Sequence, residues 1–232
     1  MRKEDRFPTK KMALEVLRER EVPVETVLDV GVLKGTPELI RAYPNVKHVL
    51  FEPVQEFSDV IARVYGAVDH ELHCVAVSDK VGETGLRLSS SIDGVTITHS
   101  RMVESGESGS HANLRQVPAT TLDHFLGSRS FASPYLLKID IDGQELRVLR
   151  GAQDTLKRCS VVIVECSKRY IAERLAFLWQ SGFELFDLCE PCYYDSAFWQ
   201  CDAVFIQSDL FPQHFKELKG KVLPGLYEVF RG

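Results

Sequence analysis

The chain has 232 residues, 44% hydrophobic and 26% charged, ordinary values for a globular unit with one sizeable core. A formal net charge of -5 and the lack of a long basic run argue against nucleic acid as a partner. No apolar run approaches the roughly 20 residues of a membrane span, and Met1-Arg-Lys-Glu-Asp-Arg6 lacks the apolar stretch of a signal peptide. The expectation is a cytoplasmic protein without membrane insertion, its single domain filling residues 1–232.

Lys10–Arg20 has helical spacing, with Ala13, Val16 and Leu17 on one face, and gives the region 1–25 the character of a helical extension. Thr26-Val-Leu-Asp-Val-Gly-Val-Leu-Lys-Gly-Thr-Pro-Glu38 then reads as a buried strand, a turn through Gly31 and Gly35, and a helix start. Thr36 suits the N-cap, Pro37 the first helical position and Glu38 the positive helix end. That helix runs to Tyr43 and stops at Pro44. Val46–Glu52 is a second buried strand, and Gln55–Tyr65 a helix with Phe57, Val60, Ile61 and Val64 in one stripe. Glu71–Ser78 is a third strand, followed by a turn over Asp79–Gly82.

Leu86–Leu88 and Val95–Thr98 suggest an accessory hairpin around Asp93-Gly94. Ser100–Gln116, with Ser105-Gly-Glu-Ser-Gly-Ser110 at its middle, reads as a mobile loop, so residues 83–118 form an insertion in the α/β pattern. A short helix over Thr120–Leu126 follows, then a strand at Pro134–Asp140 and a helix over Gln144–Lys157 with Leu146, Leu149 and Leu156 inward. Ser160–Glu165 is the most apolar strand and therefore central. Tyr170–Gln180 is a helix ended by Gly182. Phe183–Leu188 and Cys201–Gln207 are the last strands; no helix separates them, so at least one is antiparallel.

The opening turn lacks the middle glycine that lets a backbone approach a pyrophosphate: Leu33 occupies that place. Asp29 and Gly31 put a carboxylate and bare backbone at the carboxyl end of strand one, where open α/β sheets bind ligands. Glu52, about 20 positions beyond Gly31, is placed to accept both hydroxyls of a ribose. Such a site suits a phosphate-free nucleoside carrying a cation. In Lys138-Ile-Asp-Ile-Asp-Gly-Gln-Glu145, strand alternation puts Lys138, Asp140 and Asp142 on one face. Asp140 and Asp142 are a candidate pair for a hard divalent cation such as Mg, and Asp140 a candidate general base. The alternative is that Lys138 neutralises Asp140 while Asp142 or Gln144 caps the next helix. Glu165 leaves a buried strand at the same sheet edge and is the second candidate base, unless Lys168 or Arg169 pairs with it. His99 and His111 flank the predicted loop and are candidate substrate contacts.

Six cysteines in a chain without a secretory signal are expected as reduced thiols. Cys189-Glu-Pro-Cys192 with Cys201 has partial metal spacing but lacks an obvious fourth ligand.

Val27-Leu-Asp-Val-Gly-Val-Leu-Lys-Gly35, Phe51-Glu-Pro53, Thr121-Leu-Asp123 and above all Leu137-Lys-Ile-Asp-Ile-Asp-Gly-Gln-Glu-Leu-Arg-Val-Leu-Arg-Gly-Ala152 resemble the FkbM family of S-adenosylmethionine-dependent methyltransferases. The resemblance spans about Thr26 to Gln207. It implies a Rossmann-like class I methyltransferase fold, α/β, with a seven-stranded, mostly parallel sheet, one antiparallel strand and helices on both faces. It further implies O-methylation of a small-molecule or glycan acceptor, on a sugar hydroxyl. By that analogy Gly31 and Gly35 line the S-adenosylmethionine site, Glu52 holds the ribose, Asp79 lies near the adenine, and Asp140, Asp142 and Glu165 face the acceptor. The competing classes are a dinucleotide-dependent oxidoreductase or sugar-modifying enzyme, and a non-catalytic binding domain that keeps the fold.

Overall fold

A computed structural model of the chain describes residues 7–89, 99–103 and 114–216, together with 223, 226 and 228. Helix α1 (Lys10–Glu19) starts where the Thr9 hydroxyl accepts the Met12 N–H, and it buries Met12, Ala13, Leu14 and Leu17, while Val16 is half-buried. Strand β1 (Thr26–Val30) is buried at every position, as a central strand covered on both faces must be. Helix α2 (Pro37–Ala42) has Pro37 in its first turn. Thr36 precedes it without capping it, because its hydroxyl donates to Asp29 instead. Strand β2 (Lys47–Phe51) leads through one 3₁₀ turn into helix α3 (Ser58–Val64).

The predicted strand Glu71–Ser78 is two strands, β3 (His70–His73) and β4 (Ala76–Val77), which belong to different sheets. The Val75 N–H turns back onto the His73 carbonyl at 2.9 Å, a three-residue turn that breaks the run. The predicted insertion is largely a second sheet. Strands β5 (Gly82–Ser89), β6 (His99–Val103) and β7 (Leu114–Thr120) join β4 in the order β4-β7-β5-β6. The arm facing Leu86 is thus His99–Val103, with Leu86 opposite Met102. Val95–Thr98 lies outside the described residues, as does the middle of the predicted loop; its ends, Ser100–Val103 and Leu114–Gln116, are strand.

After helix α4 (Leu122–Gly127), capped by the Thr121 hydroxyl, come β8 (Tyr135–Ile139) and two short helices, α5 (Glu145–Arg150) and α6 (Gln153–Leu156). The expected single helix over Gln144–Lys157 is interrupted at Gly151, where the chain passes so near Ser78 that a Cβ would sit 2.2 Å from its carbonyl oxygen. Strand β9 (Cys159–Ser167), helix α7 (Ile171–Gln180), strands β10 (Phe183–Tyr194) and β11 (Ala197–Gln207), and helix α8 (Phe211–His214) complete the fold. β10 and β11 run further than predicted and form a long hairpin. Asp195 and Ser196 both take positive φ at its turn, matching the right-handed strand twist.

The main sheet has the order β10-β11-β9-β8-β1-β2-β3. Its pairings are parallel except those of β11, which lies antiparallel between β10 and β9. Leu122, Phe125, Val148, Leu149 and Leu178 from α4, α5 and α7 cover one face. Ala13, Leu14, Leu17, Leu39 and Ala42 from α1 and α2 cover the other. Leu86, Leu88, Val117 and Ala119 of the small sheet pack with Leu50, Phe57 and Ile61. Among the described residues, no helix is long and apolar enough to cross a membrane.

Candidate functional site

A cleft of about 250 Å³ opens where β1, β2, β8 and β9 end. Gly31, Leu33 and Glu52 line one part, Asp140, Asp142, Glu165 and Gln200 another, and Ala76, Val77 and Leu86 give it an apolar wall. The parallel strands bring their carboxyl ends together at one sheet edge, so residues far apart in sequence meet there.

Gly31 takes φ +82°, and a Cβ on it would lie 1.9 Å from the Asp140 carbonyl oxygen. Only glycine lets the loop after β1 pass this close to the loop after β8. Leu33 also takes a left-handed φ, 53°, and the Glu52 carboxylate fixes it by accepting the Leu33 N–H at 2.8 Å. The other Glu52 oxygen accepts the Val54 N–H at 2.9 Å. Burial pushes the Glu52 carboxyl up to about 7 despite those two bonds. Each oxygen keeps a lone pair, so a ribose diol can still be accepted.

Asp29 lies behind the cleft rather than in its wall. It is fully buried and accepts from the Thr36 hydroxyl at 2.7 Å and the Tyr65 hydroxyl at 3.0 Å, and the Lys138 ammonium stands 3.2 Å away. Its charge organises the glycine turn from below. Gly35 also stands apart from the wall. With φ +129°, its missing side chain makes room for Val64, whose Cγ1 would be 2.7 Å from a Cβ. Asp79 is drawn to Arg147, whose Nε and Nη2 donate to one of its oxygens at 2.9 and 2.8 Å. Burial raises that carboxyl, and Arg147 more than offsets it, holding it below the usual range. The wall beside the expected adenine position is instead apolar, from Ala76 and Val77.

In the acidic part, Lys138 donates to the Gly31 carbonyl at 2.7 Å and stands 3.5 Å from Asp140. The neutralising pair considered from the sequence is therefore present, and the same lysine ties both loops together. The strand ends at Ile139 and does not persist to Asp142, which takes φ 55° before Gly143 at 99°. Neither Asp142 nor Gln144 caps α5. Glu145 holds this loop from inside the helix, accepting the Ile141 and Gly143 N–H groups at 3.2 and 3.0 Å. Glu145 is itself paired with Arg174, and both side chains are buried. Glu165 receives a hydrogen bond from Gln200 at 2.7 Å, and Arg174 donates to its backbone carbonyl. No ion pair joins it to Lys168 or Arg169 among the described residues. Burial, then the charges of Asp140, Glu145, Asp142 and Asp202, push its carboxyl up to about 8.

Among the described residues, no group of three or more His, Cys, Asp or Glu side chains could hold a metal ion. Asp140 and Asp142 thus belong to no such group. The Cys189, Cys192 and Cys201 set does not converge either: Cys189 and Cys201 are buried and Cys192 is exposed, and all six cysteines are free thiols. His99 begins β6, and His111 lies outside the described residues. Sequence reasoning missed Tyr65, Glu145, Arg174 and Gln200. Tyr65, Arg174 and Gln200 join the site through partners 29 or more residues away, and local spacing carries no sign of such contacts.

Seven strands in this order, with the cleft at their carboxyl edge, define a Rossmann-like class I methyltransferase fold. The sequence pattern of the methyltransferase FkbM domain matches residues 29–185, and the chain belongs to that family. A sequence search of curated proteins gave no match. Among solved structures, the METTL16 methyltransferase domain is similar at TM-score 0.50 and 10% identity, over 84% of this chain and 64% of that one. An rRNA methylase from Streptococcus thermophilus follows at TM-score 0.47 and 12% identity, covering 84% and 94%. Precorrin-6y C5,15-methyltransferase from Geobacter metallireducens GS-15 gives 0.46 and 9%, covering 85% and 89%.

Proposed function

We propose that the protein is an S-adenosylmethionine-dependent O-methyltransferase acting on a hydroxyl of a sugar-containing acceptor. The observation that carries this reading is geometric: Glu165, held by Gln200 at 2.7 Å, stands in the same cleft as Glu52, where burial raises its carboxyl to about 8. A sugar hydroxyl is a poor nucleophile near neutral pH and needs a base of about this strength. The residues fit the cofactor: Glu52 offers a carboxylate to a ribose, the wall of Ala76, Val77 and Leu86 suits a purine, and the acids favour a cation. S-adenosylmethionine supplies an electrophilic methyl on a sulfonium. The protein aligns a nucleophile with it and keeps water away. Glu165 takes the hydroxyl proton, and Gln200 holds the carboxylate in place. Asp140 and Asp142 present oxygens to neighbouring hydroxyls of the acceptor.

The test is transfer of labelled methyl from S-adenosylmethionine to a panel of glycosides. Glu165→Gln should lower kcat by about 10²–10⁴ while leaving the affinity for S-adenosylhomocysteine unchanged. Affinity for NAD with none for S-adenosylmethionine or S-adenosylhomocysteine would overturn the reading in favour of a dinucleotide enzyme. Full function of Glu52→Ala in the cell would favour a non-catalytic domain. Full transfer in excess chelator would remove any role for Mg.

A further inference from the structure

β9 ends at Ser167, opposite Gln200, so the hairpin residues on the turn side of Gln200 extend past the sheet at the edge where the cleft opens. That extension is aromatic. Tyr193, Tyr194 and Trp199 are 66%, 76% and 45% exposed. Their rings pair across the hairpin, Tyr194 with Trp199 at 6.4 Å and Tyr193 with Phe198 at 6.3 Å. The tip is anchored, since the Lys168 N–H donates to the Trp199 carbonyl at 2.7 Å and the Lys168 ammonium lies 5.5 Å from the Trp199 ring centre. Trp199 is one residue, about 3.3 Å of strand, from Gln200, which lines the cleft and holds Glu165. Folding gives little return for exposing three large rings, and clustered exposed aromatics mark binding surfaces.

Resting on the acceptor class proposed above, we infer that the β10–β11 tip is an acceptor subsite whose Tyr194 and Trp199, paired on one face of the hairpin, stack on the C–H face of a sugar ring. A pyranose is the occupant that both halves of this surface match. Its flat C–H face suits an aromatic ring, and its hydroxyl edge suits Glu165, Asp140 and Asp142. Aromatics also stack nucleobases, but a phosphate backbone would meet the acids of the cleft on a chain of net charge -5, so charge favours the neutral sugar.

The chain has two tryptophans, so Trp179→Phe leaves Trp199 as the sole indole reporter. The experiment titrates this protein, loaded with S-adenosylhomocysteine, with methyl hexosides and disaccharides while following emission. In parallel, labelled-methyl kinetics compare the wild type with the variant Tyr194→Ser/Trp199→Ser. These side chains are exposed, so the variant should fold and bind S-adenosylhomocysteine normally. The expected result is a saturable change in Trp199 emission with glycoside, and in the double variant a KM raised about tenfold or more with kcat within about threefold. That corresponds to about 1.4 kcal/mol shared between two rings. Emission that changes without methyl transfer supports the subsite and overturns sugar methylation. Methyl transfer with unmoved emission and an unchanged KM overturns the subsite alone. Emission unmoved by every glycoside, or moved only by a single-stranded RNA oligonucleotide, overturns it as a carbohydrate site.

Discussion

Glu165 and Glu52 both carry carboxyls raised above their ordinary value of 4.5, to about 8 and about 7, burial being the main cause. A general base with that titration is inactive when protonated. We therefore expect kcat/KM to climb with pH, close to tenfold per unit at pH 6–7, and to level off above about 8, as measured by initial rates at fixed ionic strength. The stability consequence has the opposite direction. A carboxyl whose pKa is raised by folding contributes its full stability below 4.5 and loses it as pH rises through the folded value. Glu165→Gln removes the ionising group. Its thermal midpoint should exceed that of the wild type at pH 9, with the gap closing toward pH 5. A variant that becomes more stable as it loses activity separates a functional carboxyl from a structural one.

The loops after β1 and β8 are built as a pair, joined by the Lys138 bond to the Gly31 carbonyl and by the close passage of Gly31 against Asp140. Gly31→Ala must displace one of them, and the protein should fail to bind S-adenosylhomocysteine by calorimetry even where it still folds. The loop after β8 is held from the other side by Glu145 and Arg174, with side chains 0% and 1% exposed. Arg174→Met leaves Glu145 buried and unpaired, a loss of about 3–5 kcal/mol in urea unfolding. Adding Glu145→Gln should restore part of it. These supports explain which parts of the site could be read in the sequence. Gly31 and Glu52 announce themselves, because a turn and a strand end are local events. Asp29 read equally well as a ligand contact, since nothing near it in sequence shows that Thr36, Tyr65 and Lys138 enclose it. The break at Gly151 was hidden because the Ser78 carbonyl that it passes comes from a distant segment, just after β4.

At the scale of the molecule, a seven-stranded, mostly parallel sheet with one antiparallel strand followed from the resemblance, and the small sheet did not. Its pairings bring residues 76–77 and 82–87 against 114–120, a closure that local spacing does not reveal. The cleft draws on β1, β2, β8, β9 and β11, so a ligand there stabilises much of the fold together. S-adenosylhomocysteine at about 100 times its Kd should raise the thermal midpoint by about 5–10 °C, and far less in Glu52→Ala at the same concentration. The place of β11 matters for biosynthesis as well. It is made after β10 yet lies between β10 and β9. A nascent chain still short of Ala197 carries Val161–Val164 of β9 as an uncovered apolar edge, the kind of surface that invites aggregation and chaperone capture. The same strand delivers Gln200 to Glu165. The step that shields the edge on the way out of the ribosome is thus also the one that brings Gln200 against Glu165 in the cleft.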